Sequence, residues 1–566
     1  MTKAKIIDLP KEQQQELNEM MPQPRQKEDI LKTYEKQHPK KFKERRALYE
    51  KLADEEIARD ERLLKNSTKT ARTPETMQDL EQLLKAEGEL WRDENTKVNE
   101  NTGEIKVPKM TARTIANILE KHLKITVLGN DKRDTDKALP YFYDLDEGIY
   151  VSFTRTLEQL CLKIEPRAKI AERREAIEYI RLEAPINKLT EDETKIVCNN
   201  GIYNTQTQQL EPFNPKYFFT AKIQTNYNPD AEEPIINGWS VSNWFKEIAG
   251  DVPNKLTLLW QLVASTINSN YLQPYSFFLI DDGQGRTGKG TFQELLISLV
   301  GLSNYASLKF IDFQNDFKLA QAMGTALIIG DDNDPTKFYE DNSNFRTMVT
   351  GDPILINPKG LRPYSAQSRA LIVQSMNGRP KLPPQDEKTT RRFRIIKFNH
   401  QYKDTPEGRK IKSDYIKRPE VLEWILKEAV KIDITSLADT SESEEEVKKI
   451  HTENDPVAYF METYFNELKS SRIPVAFLFK FFQATQRYET GRLNSSSMTQ
   501  RGFTRKLNKL LPAGWKYERK NMYVGGFWNH DDIQTIIKYS PEIGHIYYEA
   551  TKDQPRTYCQ PLIYRE

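Results

Sequence analysis

Apolar residues in this chain recur at two spacings, and the changes between them divide it into segments. Over residues 40–66, Phe42, Leu48, Tyr49, Leu52, Ile57, Leu63 and Leu64 make a thin stripe at helical spacing in a Lys-, Glu-, Arg- and Gln-rich background. This pattern suits either a solvated helical arm or a module that binds a partner or DNA. A second helical pattern covers residues 80–91, and the turn-rich run 95–103 breaks it. From about residue 109 the pattern is mixed. Residues 111–119 read as a helix, 141–144 and 148–151 as a hairpin about Asp-Glu-Gly, and 157–164 as another helix. Residues 196–204 read as a second hairpin, turning at Asn-Gly.

The most informative pattern lies further on. Phe277, Phe278, Leu279 and Ile280 form a short apolar run suited to a buried strand. It leads into a loop containing Gly283, Gly285, Arg286, Thr287, Gly288 and Lys289, and then Phe292, Leu295, Leu296, Leu299 and Val300 fall at helical spacing. Strand, Gly-rich loop and helix with a Lys at its start make a P-loop. Glycines let backbone N–H groups turn inward around phosphates, the helix N-terminus adds partial positive charge, and Lys289 neutralises the anion. A nucleoside triphosphate is the expected ligand. Gly290 stands where the usual pattern has a Ser or Thr hydroxyl on Mg²⁺, leaving Thr291 as the next hydroxyl. Residues 326–329 then form an apolar run ending in Gly330, Asp331, Asp332, Asn333 and Asp334, a Walker-B shape. Asp331 is expected to take Mg²⁺ and Asp332 to polarise the attacking water, with the register open by one residue.

Composition narrows the partners. At 566 residues the chain suits three or four domains. The net charge is +2, from 84 basic and 82 acidic residues, so any polyanion must be met by local basic clusters. The three cysteines, Cys161, Cys198 and Cys559, are too scattered for a disulfide framework or a zinc site. No apolar run approaches the roughly 20 residues of a membrane span. The expectation is a soluble, cytoplasmic protein without a membrane partner.

Residues 198–203 (CNNGIY), 210–212 (LEP), 217–220 (YFFT), Lys222, Ile223 and 227–231 (YNPDA) carry a resemblance. They resemble the region preceding the ATPase in the phage and plasmid primase-helicases of the poxvirus D5-like and phage P4-like group. Trp239, Trp244, Phe245, Ile248, Leu256, Leu258, Leu259 and Trp260 lead into the P-loop strand as they do in that group, and a Lys-Gly-Thr ending is similar to a variant found there. The resemblance implies a superfamily 3, AAA+-type helicase core. Residues 350–360 resemble its B′ motif, a Gly-Asp turn and a hairpin whose basic tip meets DNA, with Lys359 and Arg362 on phosphates. Residues 371–377 resemble motif C, in which Asn377 sits between the Walker strands and orients water. The pair Arg391 and Arg392 precedes another apolar run, and one of them would be the arginine finger of a neighbouring subunit.

Leu422, Trp424, Ile425, Leu426, Ala429 and Val430 suggest an amphipathic helix in a small lid, and residues 440–446 an acidic linker or exposed helix. From residue 455, three helical patterns precede alternating residues 515–519 and 521–524, which read as a hairpin. This is the order of a winged helix, whose third helix would set Arg501, Arg505 and Lys506 against DNA. A solvated basic face on a structural cap is the other reading.

The sequence therefore predicts an α/β fold with an AAA+-type P-loop ATPase core, a mixed α/β N-terminal region and a C-terminal winged-helix domain. Its expected divisions are 1–108 charged helical, 109–250 D5-like, 251–435 ATPase, 436–454 acidic linker and 455–566 DNA-binding. The resemblance implies an ATP-dependent replicative helicase or initiator of a phage, plasmid or mobile element. It would be a ring, hexameric, moving 3′ to 5′ on single-stranded or forked DNA, with a primase and host replication proteins as further partners. The alternative is an origin-binding initiator whose ATP use drives assembly or melting. A polymerising primase would need paired acids on a strand with a nearby His; before His122 the chain has only His38 and no such strand is expected, so a complete primase domain is not expected.

Overall fold

The computed structural model describes residues 25–99, 102, 104–129, 138–268, 270–357, 363–383, 386–490, 498–520, 522–523, 530–545, 558–559 and 562–565. Four helices lead the described chain: α1 (Lys27–Gln37), α2 (Pro39–Glu44), α3 (Arg46–Thr70) and α4 (Met77–Asn95). The stripe expected to be one helix is broken at Arg45, whose backbone leaves helical geometry between α2 and α3. Ile30, Tyr34, Phe42, Tyr49, Leu52 and Ala53 close a small apolar core there.

Helix α4 belongs elsewhere. Its Leu80, Leu83 and Leu84 join the core of the following mixed unit, so that unit starts well before residue 109. A Cβ at Gly88 would come 2.1 Å from the Ile164 carbonyl oxygen, so glycine alone lets α4 lie this close. The unit continues through β1 (Lys97–Asn99), β2 (Glu104–Lys106), α5 (Ala112–His122), β3 (Ile125–Leu128), β4 (Pro140–Asp144), β5 (Ile149–Val151), α6 (Thr154–Ile164), α7 (Ile170–Glu183) and β6 (Ile186–Asn187). Its sheet runs β5-β4-β3-β6. Thr111 caps α5 through its side chain, as Thr before an apolar-periodic run does.

The second expected hairpin is β7 (Lys195–Cys198) and β8 (Gly201–Asn204), followed by β9 (Gln209–Glu211). Asn199 and Asn200 make the turn, and Gly201 already pairs with Cys198. Its alternate residues face opposite ways. Val197 and Ile202 enter the mixed unit's core, whereas Ile196, Cys198 and Tyr203 enter the next core. The hairpin is a wall shared by the two units, and α8 (Val241–Ala249) and α9 (Lys255–Ile267) lie on its far side, packed in that next core.

Next comes a five-stranded parallel sheet of β10 (Ser276–Ile280), β11 (Tyr305–Ser307), β12 (Leu327–Asn333), β15 (Leu371–Met376) and β16 (Phe393–Lys397). The order is β11-β12-β15-β10-β16. Near-continuous apolar strands are what a sheet covered on both faces requires. Phe277 and Leu279 pack on one face with α8, α9, α10 (Lys289–Val300) and the Trp424 helix, here α13 (Pro419–Ala429). Phe278 and Ile280 pack on the other face with Phe310, Phe313 and Phe345. Phe345 lies on α11 (Ser343–Val349), and between α11 and β15 the short strands β13 (Ile354–Ile356) and β14 (Tyr364–Ala366) pair antiparallel. Arg369, just beyond β14, donates from Nη1 to the carbonyls of Thr190 (2.7 Å) and Asn270 (2.9 Å), tying this region to the mixed unit. Helix α12 (Pro406–Ser413) lies between β16 and α13.

Of its two readings, linker or start of an exposed helix, the acidic run takes the helix, packed rather than exposed. It forms α14 (Ser441–Asn454), packed on β16, with Ile450 in the core and Glu446 only 1% exposed. Glu446 accepts from Arg379 (2.5 Å) and Lys449 (3.0 Å) and lies 3.7 Å from Lys397. Arg379 also meets Glu453 (3.0 Å). Four carboxylates within residues 440–446 read as solvated; three cations, two from other elements and one from the next turn, make Glu446 an anchor.

The last unit holds α15 (Pro456–Thr463), β17 (Arg472–Pro474), α16 (Val475–Thr490), α17 (Gln500–Leu510), β18 (Trp515–Glu518), β19 (Met522–Tyr523), α18 (His530–Tyr539), β20 (Tyr558–Cys559) and β21 (Leu562–Arg565). Strands form near the expected positions 515–519 and 521–524, but they do not pair with each other. β18 and β17 both flank β21, and β19 pairs with β20. Local alternation marks a strand without naming its partner.

Burial opposes the charge on Glu446, but its hydrogen bonds from Arg379 and Lys449 outweigh that and hold its pKa below the usual carboxylate range. Its stabilising contribution is therefore complete above about pH 4.3, the unfolded value, and is lost as pH falls through the lower folded value. Glu446→Gln is expected to lower stability by about 2 kcal/mol at pH 7. The gap to the native chain should close in urea unfolding below about pH 4.

Candidate nucleotide-binding site

In a parallel sheet the loops after the carboxyl ends of the strands share one edge. Here β10 delivers Asp281 and the Gly-rich loop, β12 delivers Asp331 and Asp332, and β15, lying between them, delivers Asn377. Gly283, Gly285 and Gly288 all have positive φ (87°, 65° and 93°), and at the first two an added Cβ would meet nothing within 4 Å. Those two are required for backbone conformation rather than for space. Arg286 is exposed and shares that left-handed geometry at φ 52°, a cost that side chains other than glycine carry at functional loops.

Lys289 opens α10 and is buried, with 7% of its surface exposed. Its ammonium pairs with Asp281 and donates to Thr287 Oγ1 (3.2 Å) and Asn377 Oδ1 (2.9 Å). Asp281, itself 3% exposed, also accepts from the Gly283 N–H (2.9 Å) and the Thr287 hydroxyl (3.2 Å). A single carboxylate thus gathers three donors of the loop. The sequence reading missed Asp281 because an acid ending a strand is a common turn residue; its position directly before the P-loop was the available signal.

The acids of β12 are set by a bulge. The ladder to β15 shifts between Gly330 and Asn333, and Asn333 Nδ2 holds the bulge through Gly330 O (3.1 Å), Gln374 Oε1 (3.0 Å) and Ser375 O (3.0 Å). A Cβ at Gly330 would lie 1.9 Å from Gln374 Oε1, so this position must be glycine. The bulge puts Asp332 at φ 49° and turns both carboxylates to the sheet edge. Asp331 Oδ1 accepts from Ser375 Oγ (2.6 Å), and a Cβ at Gly290 would lie 3.9 Å from Asp331 Oδ2. Asn377 Nδ2 reaches Asp332 Oδ1 at 3.4 Å. Position 290, not 291, therefore faces Asp331; half-buried Thr291 sits about 100° further round the helix. Ser375 is a second residue the sequence reading left out, since a buried strand Ser carries no signal of its own.

Arg391 and Arg392 lie at the opposite edge. The Ser276 N–H at the start of β10 donates to the Arg392 carbonyl (2.7 Å), which puts both arginines about 16 Å, the length of β10, from the P-loop edge. Burial, then the neighbouring Arg391 and Arg346 guanidiniums, push the Arg392 pKa down. Arg391 and Arg394 line an open cleft of about 300 Å³ with Asp439 and Glu444.

Of the expected DNA contacts, Lys359 and Arg362 fall outside the described residues, between paired β13 and β14. Arg501 and Arg505 are exposed on one face of α17 with Asn508 and Lys509. Lys506 is not on that face. It donates to Asp455 Oδ2 (2.7 Å), the side chain that caps α15, and so joins two helices.

Three family models match segments of the chain: "D5 N terminal like" over residues 88–245, a family of unknown function over 282–392, and "Poxvirus D5 protein-like" over 452–540. No curated protein matches it. Among solved structures, the A form apo structure of the NrS-1 C terminal region has 13% identity and TM-score 0.41, covering 74% of this chain and 98% of that one. A second apo structure of that region (305-718) has 13% identity and TM-score 0.42, with coverage of 74% and 97%. The two D5-like matches that flank its P-loop region support a place for this chain in the phage and viral primase-helicase group.

Proposed function

We propose that this protein is an ATP- and Mg²⁺-dependent replicative DNA helicase with an AAA+-type core that works as a ring, in the expected case a hexamer. The carrying observation is the split of its charged groups. Lys289, Asp331, Asp332 and Asn377 share one sheet edge, while Arg391 and Arg392 stand a strand's length away. Arginines so placed cannot serve their own P-loop, but they suit the P-loop of a neighbour. The insertion of β15 between β10 and β12 supports the same core.

The residues fit both ligands. Gly283 N–H, the Thr287 hydroxyl and the Lys289 ammonium already surround an anion, the Asp281 carboxylate, and a phosphate would draw the same donors. For Mg²⁺ the donor set is the Asp331 carboxylate, held by Ser375. Mg²⁺ is commonly held by one or two carboxylates together with substrate phosphates, so a single acid suffices. When bound, the ion supplies counter-charge to the triphosphate. Lys289 holds the phosphates, Asp331 orients toward the ion, Asp332 accepts the proton of the attacking water, and Asn377 aligns that water. The β13–β14 stem would carry Lys359 and Arg362 to the strand passing through the ring, and 3′-to-5′ travel is the direction the family implies.

In the last unit, α15, α16 and α17 with the sheet β17-β21-β18 support a winged-helix reading, α17 offering Arg501 and Arg505 to duplex DNA. That exposed basic row also favours the second reading, an origin-binding initiator.

Single-stranded DNA should stimulate ATP turnover, and Lys289→Ala should abolish it by about a hundredfold or more in a phosphate-release assay. Turnover indifferent to DNA would favour the initiator. A chain carrying Arg391→Ala and Arg392→Ala should lose about a thousandfold alone. Mixed with the Lys289→Ala chain, it should recover part of that loss, because each mutant supplies what the other lacks. Arg501→Ala with Arg505→Ala should weaken duplex binding by about tenfold at low salt with unchanged folding. Lys506→Ala should instead lower the melting temperature of the C-terminal unit, read by differential scanning calorimetry.

A further inference from the structure

Gly290 leaves a space beside Asp331, and a cation from another element points into it. A Cβ at Gly290 would lie 3.4 Å from Lys412 Nζ, closer than to the Asp331 carboxylate. Lys412 belongs to α12, which follows the sheet and lies across α10. That helix carries three other cations over its last turns and flank, and their partners differ from that of Lys412. Arg409 meets Asp404 (3.3 Å), Lys410 approaches Glu407 (3.8 Å), and Lys417 beyond the helix meets Glu294 of α10 (2.6 Å). Lys412 makes no hydrogen bond or ion pair with any described residue.

Its position is fixed by the strap that leads into the helix. The Tyr402 N–H donates to the Arg286 carbonyl of the P-loop (3.0 Å), and the Tyr402 ring would stand 3.1 Å from a Cβ at Gly288. Lys417 grips α10 on the other side. The segment 402–417 is thus fastened to the loop at one end and to α10 at the other, with Lys412 between the fastenings.

We propose that Lys412 is a second phosphate-binding cation of this site, and that Gly290 admits it. In an ordinary P-loop the hydroxyl after the Lys meets Mg²⁺, which bridges the β- and γ-phosphates. Here that position has no side chain, and the ammonium approaches it from α12. It would contact oxygens on the β/γ side, so it would favour a triphosphate over a diphosphate. A side chain longer than that of alanine at 290 would contest the space that the ammonium uses, since a Cβ alone would already be in contact with it. The inference rests on the P-loop reading above and adds to it the residue that senses the terminal phosphate.

The test is equilibrium binding of ATP and ADP to the full chain with Mg²⁺, read by displacement of a fluorescent nucleotide. Helix α12 has no buried residue, so Lys412→Ala should fold normally. Lys412→Ala is expected to weaken ATP by about tenfold, the scale of one charge-assisted hydrogen bond, and ADP by much less. Lys410→Ala, on the same helix, should bind both nucleotides as the native chain does. If Lys412→Ala keeps native affinity for ATP, or loses ATP and ADP equally, the role assigned to Lys412 is overturned. If Lys289→Ala also binds ATP as the native chain does, the P-loop reading itself falls, so the two failures are told apart.

Discussion

A buried ammonium must be paired, and the sheet edge that carries the Gly-rich loop is arranged around one. Lys289 is nearly inaccessible, and its partners come from two strands: Asp281 from the end of β10 and Asn377 from the end of β15. Removing water from a charge costs several kcal/mol unless close partners replace it. The requirement therefore fixes where the two strands end relative to each other. It also draws the loop inward, since Asp281 collects Gly283 and Thr287 as well as Lys289. A carboxylate that holds these donors in place keeps the cradle formed while leaving it to an anion of higher charge.

The second dependence is on β15. Because it lies between β10 and β12, Asn377 touches Lys289 on one side and Asp332 on the other. The bulge in β12 completes the contact by turning two consecutive acids, which would alternate in a regular strand, toward the same edge. Backbone strain at Asp332 is the cost, and Asn333 with its three hydrogen bonds holds it.

Links to the rest of the chain are physical and few. The β7–β8 hairpin gives alternate residues to two cores, so neither unit can move away without exposing apolar surface. At the other end, Asp282 beside the P-loop pairs with Lys397 (2.7 Å) and lies 3.8 Å from Arg379, both of which reach Glu446 of α14. One residue after that helix, Asp455 caps α15 and holds Lys506 of α17. The Gly-rich loop after β10 and the helix with the exposed arginines are joined by a short series of ion pairs.

Much of this was legible in the residues. Strand, Gly-rich loop and Lys before an apolar-periodic helix specify a P-loop locally, because the glycines are needed for backbone angles that no neighbour decides. The two hairpins before the sheet and the helix over 111–119 were legible for the same reason: their information lies within a few residues. The chain could not disclose which distant groups meet. Residues 440–446 carry the charge of a solvated linker, yet Arg379, Lys397 and Lys449 make Glu446 an internal anchor. Strands 515–518 and 522–523 alternate like a hairpin, yet their partners come from the last residues. Lys506 looks like its neighbours Arg501 and Arg505, but the turn of α17 sends it to Asp455. Composition and spacing determined the loop, the elements and the kinds of charged group; only tertiary packing decided which charges face each other, because an ion pair depends on distance in space and not on distance along the chain.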